Sequence, residues 1–123
     1  MLCLAAGAVA ASLAIDAFTL TWTHSIEKIR WEEDWHVKAG ALHVVAARIR
    51  GTGAGMEPPA GALLRDGIWH YRPAVPPLAV LRLAHSPYAA PYTLCTPTVC
   101  RPLADYLPGI DNTATIELRE CAP

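Results

Sequence analysis

Charge is scarce in this chain of 123 residues. Charged side chains make up 17% of it, ten basic against eleven acidic, for a net charge of −1. Such a balance exerts no general pull on nucleic acid or on an anionic membrane, and the basic residues are scattered along the chain rather than clustered. No nucleic-acid partner is therefore expected. The apolar opening, residues 1–15 (MLCLAAGAVAASLAI), is shorter than the roughly 20 residues a spanning helix needs. It also lacks the Lys or Arg that normally begins a secretory signal. No membrane span is expected. No Gly-x-Ser-x-Gly elbow is present, and no apolar i, i+3, i+4 stripe announces a helix. The glycine-rich stretch from Gly51 to Gly61 contains Pro58-Pro59 and no Gly-Lys-Ser/Thr. It reads as a structural loop rather than a phosphate cradle, which must open a helix.

What is present is apolar and turn-rich. Hydrophobic residues reach 53%, with 11 prolines and 8 glycines, a composition that excludes disorder and fits one domain over residues 1–123. The densest stretch is Phe18 to Val37. Alternate residues of a strand face opposite sides, so Phe18, Leu20, Trp22 and His24 share one face and the intervening Thr and Ser residues the other. Trp31, Glu33, Trp35 and Val37 repeat the pattern, with Glu32, Asp34, His36 and Lys38 turned away. Residues 26–30 would be the hairpin loop. The rival reading is a helix over residues 27–36.

Further strands follow the same logic. Leu2–Ala5 and Val9–Ile15 fold about Ala6-Gly7-Ala8, a hairpin preferred to a cleaved leader. Ala41–Arg50 has two largely apolar faces, His43, Val45, Ala47 and Ile49 on one and Leu42, Val44, Ala46 and Arg48 on the other, as in a strand between layers. Asp66-Gly67 is a favoured two-residue turn within Ala62–Arg72, where Trp69 and Tyr71 share a face. Leu78–Ala84, a hairpin around Cys95 and Cys100, one helical turn before Pro108-Gly109, and Thr113–Cys121 complete the chain. About ten short strands predict an all-β, single-domain antiparallel β-sandwich or barrel.

Four cysteines allow three pairings. Cys95 and Cys100 flank a four-residue turn and lie opposite each other, which favours a disulfide there. Cys3 with Cys121 would then tie the first strand to the last. The alternative is four reduced thiols in a cytosolic protein. Zinc is disfavoured, since Cys-x4-Cys has no second ligand pair at finger-like spacing.

Candidate chemistry gathers on the tryptophan ribbon. His24, Glu27, Glu32, Glu33, Asp34, His36 and His43 could ligate a transition metal or move a proton near neutral pH. Glu32, Asp34 and His36 read as a solvated outer face. His24 and Glu33 sit on the apolar side, where a polar group must find a partner, and a structural His24–Glu33 bond is the expectation. Ser25 points away from His24, so the two cannot act as nucleophile and base. No catalytic residue, resident metal or cofactor is assigned.

The strings FTLTWTHSIEKIRWEEDWHV, GTGAGMEPP, RDGIWHYRP, YTLC with CRPL, and the terminal Cys121 resemble the bacterial domain-of-unknown-function 1850 family, from about Leu2 to Cys121. The resemblance implies an accessory role beside TAXI-type TRAP transporters in organic-acid uptake, because members are commonly encoded next to them. The expected function is thus non-enzymatic contact with the permease or solute-binding protein. His24, Glu27, Glu33, Met56 and Glu57 form the expected binding surface. The alternative is a metal- or small-ligand-binding β domain, enzymatic or not, using His24 with Glu27 and Glu33. The compartment would be the periplasm or cell envelope if the disulfides form, and the cytoplasm if the chain is unprocessed.

Overall fold

A computed structural model describes residues 1–23, 29–50, 60–84, 91–111 and 113–122. Its strands are β1 (Leu2–Ala6), β2 (Val9–Leu13), β3 (Ala17–Thr23), β4 (Arg30–Lys38), β5 (Ala41–Arg50), β6 (Leu63–Arg65), β7 (Ile68–Tyr71), β8 (Leu81–Ala84), β9 (Thr93–Cys95), β10 (Cys100–Pro102) and β11 (Thr115–Glu120), with a 3-10 turn at Leu103–Tyr106. They form two antiparallel sheets. The smaller has the order β2-β1-β11-β8 and the larger β10-β9-β3-β4-β5-β7-β6. Residues 30–36 are strand, so the helical rival for the central ribbon is excluded over the described part.

Alternation decides which face is buried. Leu2, Leu4 and Ala6 of β1, with Leu83, Ile116 and Leu118 beside them, face Phe18, Leu20, Trp35, Val37, Leu42, Val44 and Leu94 of the larger sheet. Leu103 and Leu107, on and just after the 3-10 turn, enter the same core. Removing this apolar surface from water, at roughly 25 cal/mol per Å², holds the sheets face to face. The fold is a sandwich rather than a barrel, because each sheet keeps two distinct outer strands.

Two-residue turns set the hairpin registers. Asp66 and Gly67 have φ of 53° and 77°, and positive values at both central positions define the type I′ turn that matches strand twist. Ala39 and Gly40 do the same between β4 and β5, at 55° and 75°. The backbone N–H of Gly40 also donates to the Glu120 carboxylate of the smaller sheet. Val37 N–H donates to Asp16 O at 2.8 Å, and Leu42 and Leu78 exchange hydrogen bonds of 2.7 and 2.9 Å. These contacts close one end of the sandwich.

The strand Ala41–Arg50 corrects an expectation. Trp35 pairs with Val44 but Asp34 with Ala46, so Val45 is the extra residue of a β-bulge. A bulge shifts the alternation by one. Leu42, Val44, Ala47 and Ile49 therefore share the buried face, rather than dividing between the two.

Both expected disulfides are formed. Cys95 pairs directly with Cys100 across β9 and β10, and Cys3 joins Cys121. Among the described residues no cysteine is free, and no helix is long and apolar enough to cross a membrane.

Candidate functional site

Pairing registers lay out the inner face of the larger sheet as rows. One row runs Leu94, Leu20, Glu33, Ala47, Tyr71. The next, toward the end away from the Gly40 turn, runs Trp22, Trp31, Ile49, Trp69, Leu64, with Tyr92 against Trp22. Directly opposed residues in an antiparallel pair point to the same side. Glu33 is thus a carboxylate set among aromatic and aliphatic neighbours, flanked on one side only by the methyl group of Ala47.

The aromatic groups have defined mutual geometry. Trp22 and Trp31 stack nearly parallel, centroids 6.2 Å apart with 13° between planes, and Tyr92 tilts against Trp22 at 5.4 Å and 55°. Trp22 and Tyr92 pack on the main core, whereas Trp31, Trp69 and Tyr71 lie beyond it and stay half-buried. Phe18 and Trp35 form a parallel pair deeper in, at 6.3 Å and 5°.

Trp35 Nε1 donates to Glu33 Oε1 at 3.3 Å. Burial pushes the Glu33 carboxyl up from its ordinary value, partly opposed by that bond. Tyr71 and Tyr92 are also raised, chiefly by burial and then by the negative charge of Glu33, which places both phenols in its field. The indole Nε1 of Trp31 is buried with no acceptor among the described residues. A buried donor of this kind needs a partner. One carboxylate, two phenol oxygens and flat aromatic walls can hold a cationic group through charge and ring quadrupole together, while the Trp31 N–H, a donor only, calls for an acceptor on the same ligand.

Glu33 is where alternation placed it. The other expected site residues, His24, Glu27, Met56 and Glu57, lie outside the described residues, as does the expected His24–Glu33 bond. Thr23, Arg30 and Arg50 pair side by side at the aromatic end of the sheet. Ala84 pairs with Thr115 at the corresponding end of β8.

The outer face departs from the expectation of simple solvation. Glu32 is only 9% exposed. Arg48 donates to both Asp34 oxygens at 2.8 Å and to Glu32 at 3.2 Å, Arg50 donates to Glu32 at 2.9 Å, and Arg30 approaches it at 3.5 Å. Thr19 adds a bond to Asp34 at 2.8 Å. The Arg48 guanidinium holds Asp34 below the usual carboxylate range, and is itself held protonated by Asp34. Among the described residues, His36 faces His43 across β4 and β5, and no three His, Cys, Asp or Glu side chains converge as metal ligands.

Sequence reasoning does not reach Tyr71, Tyr92 or Trp31 as site residues, although it puts Tyr71 on the face of Trp69 and Trp31 on that of Glu33. Their signal was available in the alternation of IWHY and in the cross-strand position of Tyr92, but the latter requires knowing that β9 pairs with β3.

The family model described as Domain of unknown function (DUF1850) matches residues 18–103. The chain belongs to that family. The match spans the whole inner face of the larger sheet, from Phe18 through Glu33 and the tryptophans to Tyr92. Searches of curated proteins and of solved structures returned no match.

Proposed function

We propose that this DUF1850 domain is a non-catalytic binding protein that assists a TAXI-type TRAP transporter in organic-acid uptake, contacting the permease or the solute-binding protein. The observation that carries the reading is Glu33: a carboxylate turned inward at the aromatic end of the sandwich, held by one indole N–H and bordered by Trp22, Trp31, Tyr71 and Tyr92. A Lys or Arg side chain of a partner supplies the matching charge. Two disulfides favour an oxidising compartment, hence the periplasm or cell envelope.

The test is binding of the purified domain to the purified solute-binding protein and to the permease in detergent. Binding to either, weakened at least tenfold by Glu33→Gln with an unchanged circular dichroism spectrum, is the expected result. No binding to either protein overturns the reading. A second reading, a metal or small-ligand site using His24, Glu27 and Glu33, draws on the same inward carboxylate. Stoichiometric zinc, copper or nickel in purified protein, lost in His24→Ala, would put it in first place.

A further inference from the structure

The basic residues that look scattered along the chain are gathered by the fold. Arg30, Arg48 and Arg50 lie on the outer face of β4 and β5, and the register that pairs Arg50 with Ile68 and Ile68 with Arg65 puts Arg65 on that face too. Arg72 follows directly after β7. The carboxylates of this face, Glu32 and Asp34, are already engaged by Arg48, Arg50 and Arg30. Among the described residues no carboxylate lies within ion-pair distance of Arg65 or Arg72, and both are exposed. Among the described residues, one sheet face of this protein of net charge −1 thus carries a local excess of positive charge.

Part of that face is indented. An open groove of about 330 Å³ runs over β7 between β5 and β6, with Arg48, Arg65, His70 and Arg72 in its lining and the small residues Ala46 and Gly61 giving it depth. Its volume is at the lower end of the range for small-molecule sites. The backbone positions of Ile68 and Arg72 are four strand steps apart, or about 13 Å, so Arg65 and Arg72 enter from opposite ends. Guanidinium groups pair in forked fashion with carboxylate and phosphate oxygens. An occupant with two anionic groups several ångströms apart satisfies both ends, whereas a single monovalent ion satisfies one.

We propose that this groove binds a small molecule carrying two or more carboxylate or phosphate groups, with Arg65 and Arg72 as its main contacts and Arg48, fixed by Asp34, presenting the side wall. Its arginines lie on the face opposite Glu33, although Ala47 and Tyr71 of the Glu33 row also contribute to the lining.

Titration calorimetry and amide chemical-shift mapping on the intact, disulfide-bonded chain test this, with citrate as the polycarboxylate probe, pyrophosphate as the polyphosphate probe and acetate as the monovalent control. Saturable one-to-one binding of citrate or pyrophosphate, with shifts centred on residues 61–72 and acetate at least tenfold weaker, is expected; whichever of the two binds tighter identifies the anionic group. Arg65→Ala with Arg72→Ala should weaken that binding at least tenfold, while Arg82→Ala, an exposed arginine of the smaller sheet, leaves it unchanged. Equal, non-saturating responses to all three anions, or binding insensitive to the double substitution in a protein with an unchanged melting curve, overturn the proposal.

Discussion

Glu33 and Asp34 are neighbours on β4 with opposite acid–base behaviour, because alternation sends one carboxylate inward and the other to the arginines. Burial raises Glu33, so the native state holds its proton more tightly than the unfolded chain does. Its stability contribution is intact below the ordinary glutamate value of 4.5 and declines as pH rises through the raised native value. Glu33→Gln keeps an acceptor for Trp35 Nε1 and removes the buried charge. It should raise the melting temperature at pH 7, with the gain vanishing near pH 4; a fall at pH 7 would show that the charge has a partner strong enough to offset its burial. Asp34 works the other way. Arg48 lowers it, so its contribution is present above the ordinary aspartate value and is lost as pH falls through the depressed native one. Arg48→Ala should lose about 2 kcal/mol in denaturant unfolding near neutral pH, since it leaves Asp34 and the buried Glu32 short of donors. The direction of both carboxylates was legible from the spacing of Trp31, Glu33 and Trp35. The arginine cover over Glu32 was not, because it depends on which residue of β5 stands opposite.

That opposition is set at the level of the element. Counting back from the Ala39-Gly40 turn without interruption, Glu32 would face Ala47; the extra residue at Val45 brings Arg48 there instead, and Ala47 beside Glu33. Hydrophobic spacing reveals strands readily, but LHVVAARI is apolar at nearly every position, so it contains no mark of where the alternation slips. Turn chemistry was far more readable: Asp66-Gly67 fixed one hairpin, and Gly7 another. Because Trp35 pairs with Val44 and Asp34 with Ala46, deleting Val45 removes the bulge while preserving every pair on either side. The deletion variant should fold with both disulfides and lose only about 1–2 kcal/mol. Deleting Thr21, which has partners on β4 and β9, should instead prevent cooperative folding, because a slip of one residue reverses every side chain beyond it. Proteolysis and melting curves distinguish the two.

Across the whole molecule, the two disulfides differ in what they restrain. Cys95–Cys100 spans 5 positions and fastens a hairpin at the edge of the larger sheet, whereas Cys3–Cys121 spans 118 and joins the first strand to the residue after the last. Local spacing made the first visible in the sequence. The second was an inference from what remained, since only the placement of β1 beside β11 brings the termini of the smaller sheet together. Sheet order itself, with β9 against β3, was beyond reach for the same reason: pairings between distant segments leave no local pattern. In the chain-entropy model the long loop contributes about 5 kcal/mol and the short one about 2 kcal/mol. Replacing Cys3 and Cys121 by serine should therefore lower stability more than replacing Cys95 and Cys100, by roughly 2–3 kcal/mol in denaturant unfolding at equal temperature. The Glu33 end of the sandwich, remote from Cys3–Cys121, should keep its tryptophan fluorescence in the folded population of that variant. Equal losses from the two pairs would mean that the hydrogen bonds at Gly40, Asp16 and Met1 already confine the termini, and that the long bridge adds little to them.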